Sequence, residues 1–295
     1  MVVRDFKAGD AQNISMLFRV IYGERYVYPD VYQPNMICQR NTQGEWYSAV
    51  AELGGVIVGH AALLLHPGKG KMAELAMCVV DPAIRHRGVA TALGKYLCKV
   101  AHTLGLDTLT IKIVSSHPYT QRLAKALGFY STALLRDYVP TPFEQAGRES
   151  VILGVLPLKP RPIPLNLLDY RHNGWIALLA EKFGAARLPA AGATVIPAVE
   201  FTASGGRLDV TLNNMTLKIL KEIERQPFNE LIHLRARIDV AFLSLLPWLY
   251  RAGYKDMGLA PAEEGQWFWL LQRGYNPRQL KLHCPIANVL QGNSR

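Results

Sequence analysis

The stretch from Met72 to Val114 limits what this chain can fold into more than any other part of it. Met72 to Val80 is a β-rich apolar run, Asp81-Pro82 stops it, Gly88 to Leu104 has apolar residues at helical spacing, and Thr108 to Val114 alternates as a strand does. Strand, helix and strand in that order form a β-α-β unit, whose crossover makes the two strands parallel neighbours in one sheet. The fold class that follows is α/β.

The flanking residues make the sheet mixed. Met1 to Asp5 reads as a short strand, and Asp10 can cap a helix over Ala11 to Ile21. Trp46 to Leu53 and Val56 to Leu65 are apolar runs joined by Gly54-Gly55, a hairpin signal. Pro118 to Leu127, closed by Gly128, is a second helix, and strands near Tyr130 to Tyr138 and Glu149 to Leu156 complete the sheet. Leu156 to Pro164 then holds four prolines in nine residues and reads as an extended, semi-rigid linker. It divides the 295 residues into a domain at 1–157 and a domain at 158–295, close to the roughly 150 residues a domain usually takes.

The second half repeats the first. It reads as a helix over Asn173 to Phe183, strands at Ala193 to Phe201 and Arg207 to Leu212, and a helix over Met215 to Arg225. Leu234 to Asp239, the helix ending at Ala252-Gly253-Tyr254 and the strand Trp267 to Gln272 then shadow Leu109 to Val114, Leu123 to Phe129 and Val151 to Leu156 when Gly253-Tyr254 is laid on Gly128-Phe129.

Several function classes drop out on composition. The four cysteines, Cys38, Cys78, Cys98 and Cys284, form no C-x-x-C pair, which argues against a disulfide framework and a zinc site and fits a reducing cytoplasm; no metal is expected. Arg4, Asp5 and Asp10 stand where a signal peptide needs an apolar core. The longest apolar run, Val240 to Tyr250, includes Ser244 and Pro247 and is far short of the ~20 residues that span a bilayer, so no membrane partner is expected. The net charge of +10 is spread over both halves with no Lys/Arg-rich run, which favours an anionic small ligand over nucleic acid.

Such a ligand has a place to bind. Phosphate needs several backbone N–H donors converging on one point, and a helix N-terminus supplies them with a favourable dipole. In Val79 to Thr91, Asp81-Pro82 ends the strand, Arg85 and Arg87 bring positive charge, and Gly88 with Ala90 lets a phosphate approach the backbone. A Walker A loop is absent.

Residues 1 to 157 resemble the GNAT (GCN5-related N-acetyltransferase) superfamily in element order, with the specific motifs at Glu74 to Thr91 and His117 to Phe129. The resemblance implies two GNAT-like acyl-CoA N-acyltransferase domains in tandem, the second degenerate. It also implies acetyl-CoA, or another acyl-CoA, as co-substrate. The pantetheine arm would enter between the strand through Met77, Cys78 and Val79 and the strand through Ile111 to Val114. The pyrophosphate would rest on Arg85, His86, Arg87, Gly88, Val89, Ala90 and Thr91, with His117 at the arm or capping the helix. The acceptor amine, on a small molecule or a protein, would meet Tyr26, Tyr28 and Tyr32, which lie between the first helix and the hairpin.

Acyl transfer to an amine needs a base for the nucleophile and an acid for the departing thiolate. Glu74 sits in the otherwise apolar Ala73 to Met77, where burial favours a raised pKa, and is the candidate base; pairing with a nearby Lys or Arg is the structural alternative. The tyrosine that superfamily members often use as acid is missing, since Ala124 holds its place. Tyr119, Tyr138 or His117 stands in, or water does. Cys78 has no base partner in the sequence and reads as a buried strand residue. After Leu212 the second half reads Asn213-Asn214-Met215-Thr216, without arginine or glycine, and is not expected to hold CoA in the same way. Rival readings are a catalytically weak CoA-binding regulator or sensor, and an interaction scaffold.

Overall fold

The computed structural model describes residues 1–65, 70–116, 118–142, 147–170, 173–187, 198–227 and 230–293. The first half runs β1 (Val2–Asp5), α1 (Ala11–Tyr22), α2 (Pro34–Thr42), β2 (Trp46–Leu53), β3 (Val56–Leu65), β4 (Met72–Val80), α3 (Val89–Thr103), β5 (Thr108–Val114), α4 (Pro118–Ala126), β6 (Tyr130–Pro140) and β7 (Arg148–Pro157). The second runs β8 (Ile163–Pro164), α5 (Gly174–Phe183), β9 (Ala185–Ala186), β10 (Val199–Ser204), β11 (Arg207–Leu212), α6 (Leu217–Glu224), β12 (Ile232–Arg237), α7 (Val240–Arg251), β13 (Lys255–Pro261), β14 (Trp267–Arg273) and α8 (Pro285–Asn293). Of the expected strand at Ala193 to Phe201, residues 193–197 lie outside the described residues, and β10 begins at Val199.

Twelve strands form one mixed sheet in the order β1-β2-β3-β4-β5-β7-β6-β13-β14-β12-β11-β10. Read outward from its middle, the order is a palindrome. β3-β4-β5-β7-β6 and β10-β11-β12-β14-β13 share the same antiparallel, parallel, antiparallel, antiparallel pairings, with a helix crossing over each parallel pair. The halves therefore meet through equivalent strands, β6 and β13, which pair antiparallel at Ala133 and Gly258. Gly258 makes this approach possible: its φ is +106°, and a Cβ there would lie 2.1 Å from the Thr132 carbonyl oxygen.

The faces of the sheet are covered unequally. On one, α3 through α8 bury a core that runs through both halves, with Leu93, Leu97, Trp175, Phe242, Trp269 and Leu290 fully or almost fully buried. On the other, α1 and α2 cover only β2 to β4, burying Ile14, Phe18, Ile37 and Leu64. Beyond them lies a smaller cluster across the seam, Leu135, Leu153, Met257 and Leu270. On β11 and β12 the same face is polar: Asp209 and Thr211 stand opposite His233 and Arg235.

The proline-rich segment is no spacer. Arg161 is buried and donates to Thr108 Oγ1 at 2.9 Å in the first half and to the Ala262 and Gln266 carbonyls at 3.1 and 2.7 Å in the second. Burial, offset only in part by the Asp107 and Glu263 carboxylates, lowers its pKa to about 10. Each carbonyl orphaned by its loss would cost about 1–3 kcal/mol, so the segment clamps the halves together. The C-terminal segment crosses back as well. Gln121 on α4 donates to the Lys281 carbonyl at 3.3 Å and accepts from the His283 amide at 3.0 Å.

Candidate active site

The parallel pairs of the two halves differ at one point. β4 and β5 are in register from Met72–Thr108 to Leu75–Ile111, and there the pairing ends although β4 runs on to Val80 and β5 to Val114. β11 and β12 stay paired to Leu212, the last residue of β11. Among the described residues, a cleft between parallel strands thus exists in the first half alone.

A bulge in β4 opens it. Met77 has φ +54°, which a residue with a β-carbon rarely adopts, and the register with β3 shifts opposite Ala61. Neither Met77 nor Cys78 has a strand partner on either side. The bulge also reverses the strand: Leu75 packs toward α3 and Val79 toward α1. His60 lies behind it, fully buried, with Nδ1 3.1 Å from the Met77 carbonyl oxygen. That carbonyl only accepts, so Nδ1 carries the proton; burial lowers the imidazole pKa to about 4 despite this bond, and Nε2 has no partner among the described residues. Burial pushes the Cys78 thiol up to about 12, which disfavours the thiolate that a nucleophile would need.

At the mouth of the cleft the chain turns into α3. The Asp81 carboxylate accepts from the Ala83 amide at 2.8 Å, and His86 and Gly88 both take left-handed conformations, φ +66° and +75°. Such turns gather backbone N–H groups on one side, next to the positive end of the α3 dipole. Arg85, His86, Arg87 and Gly88 are exposed while Val89 is buried, and Ala90 and Thr91 lie in the first turn of α3. No described residue forms an ion pair with Arg85 or Arg87, and nothing lies within 4 Å of a Cβ built on Gly88. The turn has the space and charge to take an anion. His117 lies outside the described residues.

Glu74 stands at the base of the cleft on the face shared with α1. Its carboxylate, 11% exposed, accepts from Lys112 Nζ at 2.8 Å and from Tyr28. The surroundings are therefore not the apolar ones the sequence suggested. Burial opposes the charge of Lys112, but Glu74, helped by Tyr28 and Tyr138, outweighs it and raises the ammonium pKa well above the usual lysine value.

Of the tyrosines singled out in the sequence, Tyr138 joins this group and Tyr119 does not. Tyr119 is 57% exposed on α4, edge-on to His86 with ring centroids 5.3 Å apart. Tyr26 and Tyr28 form a stack with Phe18 and Tyr22, centroids 4.8–5.9 Å apart, with Tyr26 close enough to Glu74 for the carboxylate to raise its phenol pKa further after burial has done most. Tyr32 is turned into the core instead, and its hydroxyl accepts from the Tyr26 amide at 2.8 Å. A cleft of about 220 Å³ opens between Tyr28, Trp46 and Leu64. Its charged rim is self-paired, Arg40 bridging Asp30 and Glu45.

The second half closes the site. The Arg207 guanidinium lies 3.8 Å from the Tyr138 ring centroid, and the His233 ring stands edge-on to Tyr138 at 5.3 Å. Sequence reasoning missed Lys112, Tyr22, His60, Arg207 and His233. Lys112 left a trace, a lone lysine in an apolar strand parallel to the one holding a lone glutamate.

A mixed α/β sheet with a parted parallel pair and an anion-ready turn at its mouth defines a class of protein that can grip a long, phosphate-bearing ligand through backbone groups. Residues 13–129 match the acetyltransferase (GNAT) family. Among solved structures, similarity is found to an N-acetyltransferase from Staphylococcus aureus Mu50, 18% identical with a TM-score of 0.47, over 54% of this chain and 98% of that one. The ribosomal-protein-S18-alanine N-acetyltransferase from Escherichia coli is 20% identical with a TM-score of 0.44, over 54% and 94%. YncA, a putative acetyltransferase from Salmonella typhimurium with its cofactor acetyl-CoA, is 21% identical with a TM-score of 0.46, again over 54% and 94%. At these identities and scores the likeness says nothing about what this chain acts on. No curated protein matches it.

Proposed function

We propose that the protein is an acyl-CoA-dependent N-acyltransferase whose first domain, 1–157, carries out the chemistry while the second, 158–295, forms one wall of the acceptor site. The observation that carries this reading is the parting of β4 from β5 after Leu75–Ile111, below the left-handed turn at His86 to Gly88. Met77, Cys78 and Val79 offer backbone groups to an extended arm, and the amides from Arg85 to Thr91 hold its phosphates. Bound there, acyl-CoA supplies an activated acyl thioester.

The chain's own groups handle the protons. Lys112 holds Glu74 Oε2 in place, and Glu74 takes the proton of the acceptor ammonium and leaves a neutral amine. Tyr138, beside Lys112, gives its phenolic proton to the departing sulfur. The aromatic stack of Tyr22, Tyr26 and Tyr28 shields the carboxylate from water and suits a cation next to it.

Two measurements test the proposal: calorimetric titration with acetyl-CoA, and release of free thiol from acetyl-CoA in the presence of a panel of amines. Glu74→Gln is expected to lower turnover by about 10²–10⁴-fold while acetyl-CoA affinity stays within about threefold. Equal losses in both would make Glu74 structural, and tight binding without turnover on any amine would identify a sensor instead.

A further inference from the structure

The wall supplied by the second half carries an unbalanced charge. Three cations, Arg207, Arg235 and Lys112, lie close enough to His233 to act on its titration. The carboxylates nearby are already engaged, Asp209 with Arg207 at 2.8 Å and Glu74 with Lys112 at 2.8 Å. Arg235 has no ion pair among the described residues: its Nε donates to Thr211 Oγ1 at 2.7 Å, and its guanidinium carbon is 5.4 Å from the Phe268 ring centroid. Arg148, on the other side of Arg207, spends its donors on the carbonyls of Asp137, Gly205 and Tyr138.

His233 is the second observation. It is only 6% exposed and its Nδ1 has no hydrogen-bond partner among the described residues. Burial, and after it Arg207, Arg235 and Lys112, push its pKa down to about 3, so a neutral imidazole sits among cations with an unused ring nitrogen. Surplus positive charge around a buried, unsatisfied polar group is what an anionic ligand group would complete. The opposite rim has no such surplus, since both carboxylates there are bound to Arg40.

We infer that the acceptor is a small amine that also bears a carboxylate or phosphate, held by Arg235, Arg207 and His233 of the second half while its amine faces Glu74. This rests on the transferase reading for the amine but not for the anion. Tyr138 links the two positions: it acts electrostatically on Lys112, the partner of Glu74, and its ring meets Arg207 at 3.8 Å and His233 at 5.3 Å. The polar face of β11 and β12, which no helix among the described residues covers as α1 and α2 cover β2 to β4, is the way in.

The anion is tested first, by following the imidazole resonances of His233, assigned by their loss in His233→Gln, as inorganic phosphate or acetate is added at constant ionic strength. A saturable shift is expected. Arg235→Gln should weaken it about tenfold or more, the loss of one charge-assisted bond, whereas Arg251→Gln, on exposed α7, should leave it intact. No shift with either anion, or the same response in Arg235→Gln, overturns the inference. Matched acceptors come second: ethanolamine against phosphoethanolamine, and phenethylamine against phenylalanine. A preference of about tenfold or more for the anionic member, lost in Arg235→Gln, is expected, and the pair that shows it separates phosphate from carboxylate. Equal turnover of matched amines overturns the anion site and leaves the transferase standing. Anion binding with no turnover on any amine leaves the anion site standing and overturns the transferase.

Discussion

Replacing Gly88 by glutamate puts a negative charge into the turn at the start of α3 with little else disturbed. A Cβ at this position meets nothing within 4 Å, so the side chain can be accommodated; the cost is the backbone, held at φ +75°. A left-handed residue with a β-carbon costs roughly 1–2 kcal/mol, which for a chain of this size lowers Tm by roughly 2–8 °C. The effect on binding is larger. A carboxylate about 4–6 Å from a phosphate oxygen, at an effective dielectric of about 20, opposes it by roughly 3–4 kcal/mol, and acetyl-CoA affinity should fall by roughly 10²–10³-fold. Calorimetric titration reads the affinity and a thermal scan reads the fold. Gly55→Glu in the β2–β3 hairpin is the control, since Gly55 has φ +82° and equally open space and lies away from the turn. If Gly88→Glu binds acetyl-CoA within about threefold of the unaltered protein, or if Gly55→Glu loses as much affinity, the turn does not hold the phosphates.

Three more outcomes follow from the structure. Tyr138→Phe should lower kcat and leave acetyl-CoA affinity unchanged, whereas Tyr119→Phe should leave kcat within about twofold, a split that steady-state kinetics reads; the reverse pattern would move the acid to α4. Gly258→Ala should cost about 3 kcal/mol or more, because its Cβ would press on the Thr132 oxygen at 2.1 Å and the Ala133 Cα at 2.8 Å and neither backbone can yield; a change in Tm below about 2 °C would mean the seam is loose. His60 titrates near pH 4 when folded and 6.5 when exposed, so the unfolded chain alone takes up its proton in between. Stability should therefore fall by about 3 kcal/mol for this residue as pH drops from about 6.5 to about 4, and His60→Asn should flatten that part of a urea-unfolding series; an unchanged slope would mean the imidazole is not buried neutral.

Much of the fold could be read from the sequence wherever punctuation and periodicity agree. Trp46–Leu53, Val56–Leu65, Met72–Val80, Thr108–Val114 and Arg207–Leu212 have the same ends in sequence and structure, each bounded by a turn, a glycine or Asp-Pro. α2 escaped notice because Ile37 is its one buried residue and no apolar stripe marks it. β13 escaped because Asp256, Gly258 and Pro261 all disfavour a strand, and its neighbours β6 and β14 hold it in place regardless. At the site, the glycine and arginines of the turn carry their chemistry in their identity, and Glu74 stands out as a lone charge. A left-handed Met77, the Lys112 partner and the approach of Arg207 and His233 to Tyr138 depend on bulge geometry and on how two distant halves meet. No local pattern records these.

The continuous sheet also decides how this site can move. Two-domain enzymes commonly swing about a hinge to admit one reactant and expel another. Here the cleft below the α3 turn and the wall at Arg207 and His233 are rungs of one hydrogen-bonded ladder, joined at Ala133 and Gly258 and clamped by Arg161. Opening them like jaws would break the Ala133–Gly258 pairing, the Arg161 clamp and the apolar cluster of Leu135, Leu153, Met257 and Leu270 together. Traffic over the Tyr26 to Tyr32 segment and the bare strands of the second half leaves that frame intact.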